Sequence, residues 1–182
     1  MTSALLIIDI QRDYFPGGAY PLIGSEEAAA VARAVLVRAR DAGQEIIHVQ
    51  HHSLEADAGF FRAGTPGIEI HPLVAPMDGE QVITKHEPNS FIGTPLEKTL
   101  RANGIDELVI VGMMSSMCVD ATTRAALDLG FAATVIHDAC AAPDLEFDGT
   151  PLPGRTVHAA FMAALADAGA IVVSAADYSD AH

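Results

Sequence analysis

Val109-Ile110-Val111-Gly112-Met113-Met114-Ser115-Ser116-Met117-Cys118-Val119-Asp120-Ala121-Thr122 begins as an apolar, β-branched run, breaks at a glycine, crosses small polar residues and then reads as a helix. A strand that passes directly into a helix is half of a β-α-β unit, and such units build parallel sheets. Cys118 falls where the helix begins. Helix N-termini carry unpaired N–H groups and partial positive charge, which favour a thiolate and can hold an oxyanion developing on a carbonyl. The stretch thus offers a nucleophile and a place to stabilise its product.

The same alternation extends in both directions. Ala4–Ile8 is a continuous apolar run, as in a strand covered on both faces, and Asp9 ends it. A turn-rich Phe15-Pro16-Gly17-Gly18 follows, then a helix from Ser25 to about Asp41 stopped by Gly43. Glu45–Gln50 reads as the second strand, and a Gly- and Pro-rich insert fills His51 to Gly79. An insert of that length is more often functional than idle. Gln81–Thr84 reads as the third strand, ending at Lys85; Pro95–Asn103 reads as a helix, and Glu107–Val111 as strand four. The helix after Cys118 should run from about Ser116 to Leu129. Strand five is expected over Phe131–Ile136, followed by an Asp138-Ala139-Cys140 turn and a loop to Gly154. A helix over Arg155–Ala168 and a sixth strand over Ala170–Val173 complete the pattern. This predicts an α/β fold over residues 1–182: a single-domain three-layer sandwich with a mainly parallel six-stranded sheet and helices on both faces.

Composition narrows the partners. The chain has 182 residues, half of them hydrophobic, and a formal charge of −14, which argues against nucleic acid or an anionic membrane as a general partner. A small anionic substrate stays open, because a pocket can be locally positive. Two cysteines, Cys118 and Cys140, make no disulfide framework, and the N-terminus does not resemble a signal peptide. Leu5–Ile8 is too short to span a bilayer. The expected setting is the reducing cytoplasm.

In open α/β sheets, ligands bind beyond the carboxyl ends of the strands. Asp9, Lys85 and the Gly112–Cys118 segment fall at three such ends. If they meet, Asp9 can take the thiol proton and return it to a leaving nitrogen, Lys85 can favour both anions, and Cys118 can form an acyl-enzyme that water hydrolyses. Taken singly they have blander readings: a turn former, a surface charge and a small core residue.

Asp9-Ile10-Gln11-Arg12-Asp13-Tyr14-Phe15, Lys85-His86-Glu87-Pro88-Asn89-Ser90-Phe91 and Gly112–Cys118, in this order, resemble the motifs of the isochorismatase-like cysteine hydrolases. That family includes nicotinamidases, N-carbamoylsarcosine amidase and related ureido and maleamate amidases, and the resemblance covers nearly the whole chain. It implies a Rossmann-like strand order, a triad of Asp9, Lys85 and Cys118, a cis peptide between Met113 and Met114, and oxyanion donors from Met114 and Cys118. It also implies a small amide or ureido substrate and a homo-oligomer.

Departures from the family bear on substrate. Nicotinamidases follow strand two with an Asp-x-His metal pair and place a further histidine in the insert. Here the run is Gln50-His51-His52-Ser53, and Phe60–Thr65 supplies no third histidine. A metal-dependent nicotinamidase is disfavoured, and neither metal nor cofactor is expected. The candidate substrate-binding residues are Gln11, Tyr14, Phe15, His52, Phe61, Arg62, Phe91 and Met117, with His51 second to His52 at the pocket mouth. Two alternatives compete with amide hydrolysis. The runner-up is vinyl-ether hydrolysis, disfavoured because true isochorismatases lack the nucleophilic cysteine; the other is a catalytically idle flavodoxin-like binding module, for which no glycine-rich phosphate loop is present.

Overall fold

Two apolar strands, β1 (Ser3–Ile8) and β4 (Glu107–Met113), run side by side in parallel through the middle of the sheet. Successive side chains of a strand point to opposite faces. Leu5 and Ile7 therefore join the core on one face, whereas Ala4, Leu6 and Ile8 join the core on the other. The sheet has the order β3-β2-β1-β4-β5-β8, with β2 at Glu45–His51, β3 at Gln81–Lys85, β5 at Ala132–Ala141 and β8 at Ile171–Val173. Every ladder in it is parallel. Helices α1 (Ser25–Asp41), α2 (Leu96–Ala102), α3 (Asp120–Asp128) and α4 (Gly154–Asp167) supply the crossovers and outer layers. This computed structural model describes residues 2–55 and 57–181, with side chains through residue 178.

The structure departs from the sequence reading in four places. Strand β5 does not turn at Asp138-Ala139-Cys140; after a shift in its ladder with β4 it pairs again at Gly112↔Cys140 and Met113↔Ala141. The continuation buries Ala139, Cys140 and Ala141, which extends the core past the point where local turn residues suggested an end. The loop reaching Gly154 contains a hairpin, β6 (Leu145–Phe147) with β7 (Thr150–Leu152). The helix expected from about Ser116 opens with a π-helical turn over Ser115–Val119 before α3 begins. A further helix, α5 (Ala175–Ala181), follows β8.

At the β2 side of the sheet, Arg40 donates to both oxygens of Glu80 at 2.6 and 2.8 Å, and His48 Nε2 lies 2.9 Å from Glu80 Oε2. His48 is 1 % exposed, and burial pulls its pKa down, so its contact with Glu80 is a neutral hydrogen bond. Hydrogen bonding from Arg40, foremost, holds the Glu80 carboxyl at about 2, against an ordinary 4.5. A carboxylate with a depressed folded-state pKa stabilises the fold above its unfolded pKa and loses that contribution as the pH falls through the folded value. Glu80→Gln is therefore expected to cost about 1–3 kcal/mol near neutral pH. The gap between variant and wild type should narrow as the pH drops from 4.5 toward about 2, as read by urea unfolding across a pH series.

Candidate active site

Three adjacent strand ends meet at one point. Asp9 follows β1 with φ +50°, in the left-handed region that aspartate tolerates better than most side chains, and its N–H donates to Val49 O at 3.0 Å. Lys85 is the last residue of β3, and it pairs in register with His51, the last residue of β2. Cys118 sits in the π-helical turn beyond β4, after a cis Met113–Met114 peptide. The Met114 N–H has no backbone acceptor among the described residues.

The Lys85 ammonium is the hub. Its Nζ lies 2.7 Å from Asp9 Oδ2 and donates to His51 Nδ1 at 2.8 Å, Glu87 O at 3.0 Å and Cys118 Sγ at 3.2 Å. Asp9 and Lys85 are fully buried and Cys118 is nearly so. An ammonium carries three protons, so four acceptors compete for them and the cation is held in a cage. The enclosed Asp9 carboxylate faces the Cys118 thiol as well as the ammonium, and it hydrogen-bonds to both.

Electrostatics assign the charges. Burial raises the Asp9 pKa, and Lys85 pulls part of that back. Burial works against the Lys85 charge, but Asp9 and Cys118 outweigh it and hold the ammonium protonated. The thiol goes opposite to the sequence expectation: burial first, then the neighbouring Asp9 carboxylate, push Cys118 well up, more than Lys85 offsets. With an ammonium 2.7 Å from its Oδ2, Asp9 stands as a carboxylate, and burial keeps the Cys118 thiol neutral. Burial and Lys85 lower His51 to about 4, so its ring is neutral.

The isochorismatase domain model matches residues 3–177. The chain belongs to the isochorismatase family. It is 48 % identical over 165 residues to the isochorismatase family protein YddQ of Bacillus subtilis, covering 91 % of this chain and 92 % of that one. An isochorismatase hydrolase structure from Oleispira antarctica superposes with a TM-score of 0.93 at 49 % identity, covering 97 % of this chain and 95 % of the other. The maleamate amidohydrolase of Pseudomonas putida is 33 % identical over 150 residues, 74 % of this chain and 70 % of its own.

Within this isochorismatase-family site, the aromatic and polar candidates take different roles. Gln11 is fully buried, donates to His51 O and Ile68 O at 2.9 and 2.8 Å, and accepts from His51 N at 2.8 Å. Its amide is engaged on both sides by backbone, so it ties the insert and β2 to β1 rather than meeting substrate. Asp13 does similar work, accepting from Phe61 N at 2.6 Å and Ala19 N at 3.1 Å. Phe61, at φ +54° and fully buried, packs 4.6 Å from Tyr14 and 5.8 Å from the His51 ring. Tyr14 is raised well above its ordinary pKa, by burial first and then by Cys118 and Asp9, which places a neutral phenol near the thiol.

The remaining candidates make other contacts. Phe15 stacks on His71 at 3.9 Å. Phe91 stacks on Phe131 at 6.1 Å and packs against the core cluster beneath α2 and α4, so its ring is a packing element. Arg62 is exposed, and its guanidinium joins no ion pair among the described residues. Met117 is 46 % exposed beside Cys118. His52 donates its N–H to Lys85 O at 2.9 Å, while its ring Nε2 is enclosed without a partner.

His51, ranked second to His52 in the sequence, is the histidine that reaches the hub. The signal lies in the parallel register, where His51 is the cross-strand partner of Lys85. Ser90 and Thr122 lie within the resembled motifs but carry no role in the sequence reading: buried and 2.8 Å apart through their hydroxyls, they fasten the lysine-bearing loop to α3. Asp9, His51 and Cys118 have metal-ligand side chains with donor atoms within 4.8 Å of one another. Lys85 Nζ, within 3.2 Å of all three, already holds the cation position among them. No helix among the described residues is long and apolar enough to cross a membrane.

Proposed function

We propose that this protein is a cysteine amidohydrolase that cleaves the C–N bond of a small carboxamide or ureido compound through a thioester. The observation that carries this reading is the enclosed Asp9 carboxylate, hydrogen-bonded to a neutral thiol and ion-paired with a caged ammonium that also donates to that sulfur. The thiol proton passes to Asp9 as Sγ bonds to the substrate carbonyl carbon, and the backbone N–H groups of Met114 and Cys118 receive the oxyanion. On collapse the C–N bond breaks and Asp9 returns that proton to the departing nitrogen. Water then attacks the thioester carbonyl carbon and gives a proton to Asp9; the C–S bond breaks, the carboxylic or carbamic acid leaves, and Asp9 passes that proton to the departing thiolate. Lys85 balances the single negative charge as it moves from Asp9 to sulfur, to oxygen and back, and so favours each anion in turn. Similarity to an enzyme named for maleamate amide hydrolysis supports the same class. Vinyl-ether hydrolysis would leave the buried thiol and its charge cage without a task.

The charge distribution makes a distinctive prediction. The reactive thiolate with protonated Asp9 carries the same net protonation as the resting carboxylate with neutral thiol. Proton transfer between them does not depend on bulk pH. Alkylation of Cys118 by iodoacetamide, followed by intact-protein mass spectrometry, should therefore be nearly flat from about pH 6 to about pH 8, where an ordinary thiol gains about tenfold per unit. Asp9→Asn removes the internal acceptor and should restore a slope with pH. Lys85→Met should slow alkylation by about 100-fold, because the sulfur anion loses its counter-charge. An ordinary thiol profile, alike in all three proteins, would overturn the mechanism.

A further inference from the structure

Resting on the amidohydrolase reading, we propose that His51 is a substrate-contacting residue, presenting an Nε2–H donor to an oxygen acceptor on the acyl side of the substrate. The inference starts from the Lys85 hub. An ammonium can only donate, so the 2.8 Å contact requires Nδ1 of His51 to accept. In a neutral imidazole the proton must then reside on Nε2. That nitrogen has no hydrogen-bond partner among the described residues and is not one of the enclosed polar atoms, unlike Nε2 of His52. The ring is also close to the chemistry, with a nitrogen within 4.8 Å of both Cys118 Sγ and an Asp9 carboxylate oxygen.

The donor is fixed in place. Gln11 brackets the His51 backbone from both sides, accepting from its N–H and donating to its carbonyl. Phe61 packs beside the ring, and β3 holds the residue in register with Lys85. A rigid, unpaired donor beside a nucleophile selects for a matching acceptor, because a substrate lacking one leaves that N–H desolvated and unpaired. The favoured substrates are therefore amides or ureido compounds whose acyl part carries a second oxygen, as a carboxylate or carbonyl, near the scissile carbonyl.

The test uses two aldehydes that add reversibly to a cysteine thiol. In each adduct an S–C bond forms, the C=O π bond opens, and the thiol proton ends on the new oxygen, with no change of oxidation state. Glyoxylate carries a carboxylate next to its carbonyl, whereas acetaldehyde carries a methyl group. Dissociation constants for both are read from protection of Cys118 against iodoacetamide, and their ratio cancels changes in the intrinsic reactivity of the thiol. His51→Asn keeps an acceptor where Nδ1 stood and loses the distal donor, and the preference for glyoxylate over acetaldehyde should fall by about tenfold or more. His51→Gln places an amide N–H where Nε2 stood and should keep the preference within about threefold of wild type. A ratio unmoved by His51→Asn, or moved equally by both variants, would overturn the assignment while leaving the amidohydrolase reading intact. A wild-type Cys118 that forms neither adduct and alkylates like free cysteine would overturn both.

Discussion

Cys118→Ser is expected to lower amide hydrolysis by a factor of about 1,000 or more while leaving the protein folded. The two side chains differ by one atom, and the site around position 118 is nearly closed, so the serine occupies the same space. What changes is the proton. A single buried carboxylate, even one raised by burial as Asp9 is, can accept a proton from a thiol but is far too weak a base for an alcohol. No histidine takes the place of a stronger base: His51 is lowered to about 4, and its Nδ1 is engaged by Lys85. The measurement is ammonia release from a panel of small carboxamides and ureido acids, beginning with maleamate, alongside mass spectrometry for an acyl adduct on the wild type. Turnover by the serine variant within about tenfold of wild type would exclude covalent cysteine catalysis. A thermal midpoint within a few degrees of wild type, about 1 kcal/mol, would show that the loss is chemical.

Gly112→Ala carries the largest expected cost in stability. Gly112 lies in β4, at the centre of the sheet, with φ +141°, and a Cβ there would sit 2.1 Å from the carbonyl oxygen of Ile8. That oxygen belongs to β1, the strand next to β4, so no flexible side chain can move aside. The same residue marks the place where the ladder between β4 and β5 shifts before resuming at Cys140. The alanine must therefore push two central strands apart, and a loss of about 4–5 kcal/mol is expected. For a domain of this size that lowers the melting temperature by about 10–20 °C, measurable by calorimetry. Because Asp9 follows Ile8 directly, any protein that still folds should also show a displaced carboxylate and slowed alkylation of Cys118. A melting temperature within about 3 °C of wild type would show that the sheet absorbs the methyl group.

Local sequence specified the elements where one periodicity was unopposed. Continuous apolar runs at Ala4–Ile8 and Val109–Val111 could be stable only between two covering layers, and both are central strands. The Ser25–Asp41 helix was equally legible, with acidic residues in its first turn and Gly43 beyond its end. Local signals failed where long-range pairing overrode them. Asp138-Ala139-Cys140 has turn-forming character, yet its backbone groups gain more by continuing the ladder with β4. The hairpin at 145–152 lacked a clear alternating pattern, and its mostly exposed strands gain little from burial.

For the candidate site, the linear pattern of residues was enough to say which chemical groups stand at the strand ends: a carboxylate at position 9, an amine at 85 and a thiol at 118. It could do so because β-α alternation dictates that the carboxyl ends of parallel strands face one side. Only the tertiary structure decided their charges and their company. A thiol at the start of a helix reads as acidified, but near-complete burial and the Asp9 carboxylate reverse that, and neither is a property of neighbouring residues in the chain. Gln11 and His51, forty residues apart, show the same division. Their types suggested ligand contact for both, whereas the register of β2 against β3 brings the His51 ring to Lys85, and the fold spends the Gln11 amide on the His51 backbone. Residue types travel with the sequence; burial, register and competition for hydrogen bonds arise only when distant segments are packed together.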